Sequence, residues 1–311
     1  MIHDLFQIGE PAEHRGIVIA PLYPRQDPVA AYVTLDEALA GGLRIRETSE
    51  SGSVPELVVS NALTERVLLY DGEELVGAKQ NRILNVSVLV DAKTTLTIPV
   101  SCVEQGRWSQ RSADFDAAPH AASPELRHRK NLALQMQPLA RGISQGEVWD
   151  AVYEKATRMG VHSLTGASSD TFAAYADSLR ALEDAFPAHS GQCGAILAIG
   201  TSMCLDAVSR PDAFARLWPK LRRGYLLDAL EHLDGTPMSP AALPMILGET
   251  RKADWSRQPS AGLGEDIRLR GERVHGSGLE LDGELIQLSS FMSPDDHRQA
   301  TRRIARPSQR R

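Results

Sequence analysis

The order of apolar and polar positions predicts β-strands in the first part of the chain. Between residues 17 and 108, short β-branched runs alternate with Gly, Asn, Asp and Pro, as in antiparallel sheets. The predicted strands lie in GIVIAPLY, AYVTL, GLRIRE, PELVVSN, RVLLYD, RILNVSVLVD and TLTIPVSCVE. Their spacing predicts an antiparallel β-sandwich or an open barrel.

From residue 123 to residue 234 the apolar positions repeat at helical spacing. Ser123 followed by Pro124 is typical of a helix start, and Ser144 with Glu147 matches a capping box. Pro219 lacks a backbone N–H, so it predicts that the long helix after residue 210 restarts there. The apolar run CGAILAIG predicts one buried strand inside this segment.

Strands return in DIRLRG, VHGSGLEL and LIQLSSF, within residues 244–291. Strand and helix blocks are therefore segregated, which predicts the α+β class with the C-terminal strands returning to the sheet. We expect a single α+β domain over residues 1–296. Residues 297–311 hold six arginines and no acid, and predict a disordered basic tail.

Composition and charge narrow the classes of partner. Without the tail, 28 basic residues face 40 acidic ones, a net charge of −12, which disfavours nucleic acid. We find no signal peptide and no apolar run long enough for a membrane helix, so we expect a cytoplasmic protein without a membrane partner. The three cysteines and the scattered histidines lack metal-ligand spacing, so we predict neither a metal nor a cofactor.

Polar residues crowd the segment GEELVGAKQNR between two apolar runs. Strand alternation places Gln80 and Arg82 on the face of Leu84, and Lys79 and Asn81 on the face of Ile83. One interpretation is a solvated hairpin tip, and the other is a polar lining at the mouth of a pocket.

A second polar group ends the strand TLTIPVSCVEQGRW. Alternation places Ile98, Val100 and Cys102 on one face with Glu104, so this carboxylate should be half-buried beside a thiol. A buried carboxylate either pairs with a cation or has a raised pKa. Arg107 is three residues away, and Arg82 or Lys79 would reach across the sheet. Glu104 is then either an acid–base group or half of a structural ion pair.

Cys102 and Trp108 each allow two interpretations. Cys102 is a nucleophile if a cation lowers its pKa, and otherwise inert filling of the core. Trp108 is either a stacking platform for a base or sugar, or ordinary core.

The stretches LLYDGEELVGAKQNRILNVSVLV and IPVSCVEQGRW resemble the ADP-ribosylglycohydrolase- and rhodanese-phosphatase-superfamily-associated protein domain family. Weaker matches follow in the same order: Arg127 within SPELRHRK, then GQCGAILAIG, then GEDIRLRG and GELIQLSSF. The resemblance implies an association with NAD-derived and ADP-ribose metabolism. It carries over no catalytic set.

Three functions remain open. The first is a site for a phosphorylated, ADP-ribose-like metabolite, with hydrolysis or group transfer. The second is a non-catalytic sensor or assembly module, forming a homo-oligomer or joining a pathway enzyme. The third is a cysteine-dependent hydrolase. The predicted catalytic residues are Glu74, Lys79 and Glu104, and the predicted ligand-binding residues are Glu73, Gln80, Asn81, Arg82, Cys102, Arg107, Trp108 and Arg127.

Overall fold

A computed structural model describes residues 5–49, 52–53, 55–136 and 145–293. Within these ranges the chain forms strands at Phe6–Ile8 (β1), Ala12–His14 (β2), Ile17–Pro24 (β3), Val33–Thr34 (β4), Arg44–Glu47 (β5), Glu56–Ser60 (β6), Val67–Leu69 (β7), Glu73–Gly77 (β8), Arg82–Leu84 (β9), Val88–Val90 (β10), Thr95–Cys102 (β11), Phe115–Ala121 (β12), Gly194–Ile199 (β13), Ser202–Val208 (β14), Asp254–Pro259 (β15), Glu265–Arg270 (β16), His275–Leu281 (β17) and Glu284–Met292 (β18). The α-helices are Leu35–Gly41 (α1), Pro124–Met136 (α2), Gln145–Arg158 (α3), Ser168–Ala174 (α4), Ala176–Glu183 (α5), Pro211–Ala229 (α6) and Pro244–Lys252 (α7). The predicted α+β class is confirmed.

The strands form three sheets, antiparallel except where β4 pairs with β7. A nine-stranded sheet has the order β1-β3-β13-β14-β18-β17-β16-β15, with β2 also on β3. A six-stranded sheet has the order β12-β8-β9-β11-β6-β5, and a three-stranded sheet has the order β10-β7-β4. The C-terminal strands therefore join the strand β3 from the start of the chain through the β13–β14 hairpin.

The six-stranded sheet curls into a half-barrel. Its edge strands β12 and β5 approach each other, and Arg44 and Arg46 of β5 both pair with Asp114, just before β12. The inner face carries Ile45, Val100 and other aliphatic side chains, which share a core with the three-stranded sheet. The expectation of an open barrel agrees with this curled sheet.

The run RILNVSVLVD forms two strands in different sheets, so the prediction of one strand is wrong. The chain leaves the six-stranded sheet after Leu84 and joins the three-stranded sheet at Val88. Helix α2 holds this break, because Lys130 Nζ donates to the carbonyl oxygens of Leu84 and Asn85, each at 2.9 Å. Ser87 Oγ accepts the backbone N–H of Asp71 at 2.9 Å.

Two helices lie in or directly after regions predicted as strands. The strand predicted in AYVTL is present but short, Val33–Thr34, and α1 begins at Leu35 because Glu37 accepts the backbone N–H and the hydroxyl of Thr34, at 3.0 and 2.9 Å. The predicted C-terminal strands start at residue 244, yet Pro244–Lys252 is a helix. Ile246, Leu247 and Thr250 are its buried face.

The segment 123–234, predicted to be helical with one strand, contains a second strand. CGAILAIG forms β13 as expected, but it pairs with β14, which has no counterpart among the predicted elements. Pro219 lies inside the continuous helix α6, so the predicted restart is wrong. Leu217, Trp218 and Leu221 around it are buried, and this packing holds the helix together despite the missing N–H.

Two expectations fall outside the described ranges: the capping role of Ser144 and the disorder of residues 297–311. No helix in the described part of the chain has both the length and the apolar character needed to cross a membrane.

Candidate functional site

Arg82 lies on the inner face at one end of the curled sheet. Its register partners are Leu75 on β8 and Cys102 on β11, so the prediction that Arg82 and Leu84 share a face is confirmed. Arg82 Nη1 donates to Gln80 Oε1 at 3.0 Å and to Cys102 Sγ at 2.7 Å. Although Arg82 is 0% exposed, its Nε and Nη2 have no hydrogen-bond partner among the residues that the structure describes. Two charged donors therefore remain available at this end.

The inner end of the sheet has a second charged group, Glu47 at the end of β5. Its Oε1 lies 3.6 Å from Arg82 Nη2, which makes an ion pair but not a hydrogen bond. Sequence reasoning missed Glu47. Alternation with the buried Ile45 would have placed it on the inner face.

Trp108 covers this end of the sheet. The indole is 48% exposed, so the interpretation as core is wrong. Lys79 Nζ and Arg82 Cζ each lie 5.6 Å from its ring centroid, within reach of cation–π attraction. The prediction that Lys79 shares the face of Asn81 is therefore wrong, because Lys79 precedes β9 and strand alternation does not extend to it. Gly52 closes the same opening, since a Cβ there would lie 3.3 Å from both Lys79 Cδ and Trp108 Cζ2. We call Glu47, Gly52, Lys79, Arg82 and Trp108 the mouth of the curled sheet.

A separate polar network occupies the outer face. Asn81 Nδ2 donates to Glu74 Oε1 at 3.3 Å, and Asn81 Oδ1 accepts from Arg107 Nη2 at 3.1 Å. Glu74 Oε2 lies 3.1 Å from His120 Nε2, and the His120 ring stacks on Phe172 with centroids 3.7 Å apart. All five of these side chains are buried. His120 is a member that sequence reasoning missed, because β12 was not predicted.

Glu104 joins this outer network through Arg107, so the prediction that it shares the face of Cys102 is wrong, because β11 ends at Cys102 and the strand alternation stops there. Its Oε2 lies 2.6 Å from Arg107 Nη2 and accepts the backbone N–H of Asn81 at 3.1 Å. Arg107 was one predicted partner, whereas Arg82 pairs with Glu47 instead. Burial by itself would raise the pKa of Glu104, but the bonds from Arg107 and the Asn81 backbone outweigh it and lower the pKa. Glu104 is thus an ionised carboxylate at neutral pH, which leaves a role as proton acceptor and not as donor.

Cys102 is a buried thiol. Burial raises its pKa to about 11, even though the charge of Arg82 acts in the opposite direction. Thiolate is the nucleophilic form, so the geometry disfavours the cysteine-dependent hydrolase.

A comparison with known protein families shows the family of this chain. The family model of the ARG and Rhodanese-Phosphatase-superfamily-associated Protein domain (ARPP-1) matches residues 6–291. The chain belongs to this family. The resemblance expected from the two central stretches is confirmed. No curated protein and no solved structure matches the chain.

Two of the predicted ligand-binding residues lie elsewhere in the ARPP-1 domain. Arg127 is 0% exposed and donates to both carboxylate oxygens of Asp206, at 2.7 and 2.6 Å. Glu73 is also fully buried; burial raises its pKa, and it lies 3.0 Å from Lys220 Nζ. Both therefore lie within the protein interior, apart from the mouth.

The predicted site residues of this ARPP-1 domain thus form three groups. The inner group at the mouth holds Lys79, Gln80, Arg82, Cys102 and Trp108; the outer group holds Glu74, Asn81, Glu104 and Arg107; the interior group holds Glu73 and Arg127. The first two lie back to back on one end of the curled sheet. Across the described residues, no three His, Cys, Asp or Glu side chains are grouped as metal ligands.

Proposed function

We propose that this ARPP-1 domain binds a small phosphorylated, NAD-derived metabolite of the ADP-ribose type at the mouth of the curled sheet. The family name records an association with ARG and rhodanese-phosphatase-superfamily proteins. That association is the basis for the NAD-derived part of the proposal. The residues of the mouth are the basis for the phosphorylated part.

The observation that carries the proposal is the state of Arg82. A buried guanidinium with two donors unpaired is costly, and such donors are normally satisfied. A phosphate or carboxylate accepts two parallel bonds from the guanidinium fork, which fits the two free positions on Arg82. Lys79 at the mouth adds positive charge on the approach.

Trp108 supplies the second element of the site. A half-exposed indole offers a flat face to a base or a sugar, and base–aromatic stacking contributes about 1–3 kcal/mol. Because the ring now covers Arg82, the ligand's anionic group enters as the indole moves aside. The ligand therefore has an aromatic or sugar portion near the surface and an anionic portion deeper in.

For a hydrolysis or group transfer, Lys79 is the proposed proton-handling residue, because it alone of the three predicted catalytic residues lies at the mouth. Glu104 and Glu74 belong to the outer network, where Glu104 pairs with Arg107 and Glu74 is hydrogen-bonded to His120, so neither carboxylate faces a ligand bound on the inner face.

Calorimetry with ADP-ribose, NAD, ribose 5-phosphate and inorganic phosphate tests the proposal. We expect ADP-ribose to bind, and Trp108→Ala to weaken its binding about tenfold or more. Tyr153→Ala is the matched control, because Tyr153 is an exposed aromatic (71%) on α3. Lys79→Ala should weaken binding, while Lys252→Ala, at an exposed lysine on α7, should not. Arg82→Lys keeps the charge but removes the fork, and should also weaken binding.

No heat with any of the four probes would refute the proposal. If Trp108→Ala and Tyr153→Ala changed the affinity for ADP-ribose equally, the ligand would bind elsewhere than at the mouth.

A second candidate, a ligand-sensing or assembly module without turnover, is favoured by the tight pairing of Glu104 and the raised pKa of Cys102. Cys102 stays a thiol at neutral pH and so supplies no thiolate to the mouth, and Glu104 is held by Arg107 on the outer face. This candidate predicts that the bound ADP-ribose is recovered intact after long incubation. It also predicts that a partner enzyme co-purifies with the domain.

A further inference from the structure

Glu47 is an acceptor without a donor. Its side chain is only 11% exposed, both of its carboxylate oxygens are buried, and neither accepts a hydrogen bond from the described part of the chain. An ionised carboxylate can only accept hydrogen bonds, so it is satisfied by hydroxyl, amide or cationic donors. The nearest cation, on Arg82, stays 3.6 Å away at Nη2.

Gly52 packs closely beside Glu47. A Cβ on Gly52 would lie 3.4 Å from Glu47 Oε2, and Gly52 has φ +77°, a conformation that side chains rarely adopt. A side chain at position 52 would therefore contact Oε2, and glycine avoids this contact.

The residues expected to bind hydroxyls are already engaged. Asn81 Nδ2 donates to Glu74 and Ser169, while its Oδ1 accepts from Arg107 and from the backbone N–H of Gly77. Gln80 Oε1 accepts from Arg82. Glu47 is thus the group at the mouth with acceptor capacity to spare.

We propose that Glu47 is the specificity residue of the mouth and accepts hydrogen bonds from a hydroxyl pair on the sugar of the ligand. This inference rests on the function proposed above and adds a substrate class, namely a phosphorylated sugar with vicinal hydroxyls. The phosphate goes to the unpaired donors of Arg82 and the hydroxyls go to the unpaired acceptors of Glu47. A carboxylate repels phosphate, so the two ligand groups cannot exchange places. Carboxylate recognition of ribose hydroxyls is a common solution in nucleotide sites.

Ribose 5-phosphate and 2-deoxyribose 5-phosphate test this, because they differ by one hydroxyl. We expect the wild-type domain to bind the ribose compound about 10- to 150-fold more tightly, the usual range for one hydrogen bond to a charged group. Glu47→Gln should reduce this ratio to near one, while Glu56→Gln, at an exposed carboxylate on the neighbouring strand β6, should leave it unchanged. A ratio is used because a general loss of stability would weaken both ligands alike.

The outcomes separate the two proposals. Equal binding of the two sugars by the wild-type domain would overturn the role of Glu47 and leave the phosphate site standing. An unchanged ratio in Glu47→Gln would do the same. Failure of both sugars and of ADP-ribose to bind would overturn the proposed function, and the hydroxyl specificity with it.

Discussion

Asp206 is the centre of a buried charge network, and replacing it should be severely destabilising. Its carboxylate accepts two bonds from Arg127, one each from the hydroxyls of Tyr70 and Tyr225 at 2.7 Å, and one from Ser289 at 2.6 Å. Asp206→Asn keeps the shape but leaves the 0%-exposed guanidinium of Arg127 without its counter-ion. Breaking a buried pair in this way costs about 3–5 kcal/mol.

The same substitution should change the response to acid. Arg127 and the hydroxyl donors overcome the effect of burial and lower the pKa of Asp206 from 3.8 to about 2. A carboxyl whose pKa is lower in the folded state stabilises the fold above its unfolded pKa. This contribution, about 2 kcal/mol, is lost as the pH falls from 3.8 through 2. Asp206→Asn has no titrating group there and should lack this part of the acid transition.

Urea titration followed by circular dichroism, at pH 7 and through the acid range, measures both effects. Asp116→Asn, an exposed aspartate on β12, is the matched control and should stay within about 0.5 kcal/mol of the wild type. If Asp206→Asn lowered the free energy of unfolding by less than about 1 kcal/mol, the reasoning would be contradicted, since a buried guanidinium without its counter-ion destabilises the fold by more than that. So would an acid-unfolding curve identical to that of the wild type.

Three further predictions concern single residues. Cys102 should resist iodoacetamide at pH 7 in the folded protein and react after denaturation, because it is buried and its pKa is raised to about 11. Mass spectrometry measures the labelling. Rapid labelling of the folded chain would contradict this prediction. Burial, with a smaller effect of His275, lowers the pKa of His128 from 6.5 to about 3. The free energy of unfolding should therefore fall as the pH drops from 6.5 toward 3. Thermal unfolding of His128→Phe should show a weaker dependence on pH. A steep slope retained in that variant would assign it to another group. Gly276→Ala should cost about 1–3 kcal/mol in thermal unfolding, because its Cβ would lie 2.2 Å from the carbonyl oxygen of Ser289 on the neighbouring strand; an unchanged midpoint would mean that β17 and β18 separate freely there.

Sequence reasoning succeeded where the determining pattern is local. Strand alternation has a period of two residues, so a few apolar neighbours suffice to place Arg82 and Cys102 on one face and Asn81 on the other. The α+β class followed in the same way, from blocks of strand and helix periodicity.

The failures have two physical causes. Helix α1 has a capping pattern in its sequence, Thr34 and Glu37, but the β-branched run before it dominated the interpretation. The Arg127–Asp206 pair joins residues 79 positions apart, and nothing near either residue indicates the other. A buried charge is therefore mistaken for a ligand-binding one whenever its counter-ion comes from a distant strand. Glu73, which pairs with Lys220 at a separation of 147 residues, shows the same effect.

The choice between a solvated hairpin tip and a polar lining for residues 72–82 depends on desolvation. A wet hairpin tip leaves its charged ends in water, where unpaired donors cost nothing. Here Gln80, Asn81 and Arg82 are at most 5% exposed. For Asn81 the cost of burial is offset by protein partners on the outer face. On the inner face the cost of burying Arg82 and Glu47 is offset only in part, because these two side chains keep unpaired donors and acceptors side by side. A purely structural ion pair would be expected to close that 3.6 Å gap, since nothing covalent holds the two side chains apart. That they stay apart, beneath a half-exposed indole, is the observation that supports the proposed ligand site at this end of the sheet.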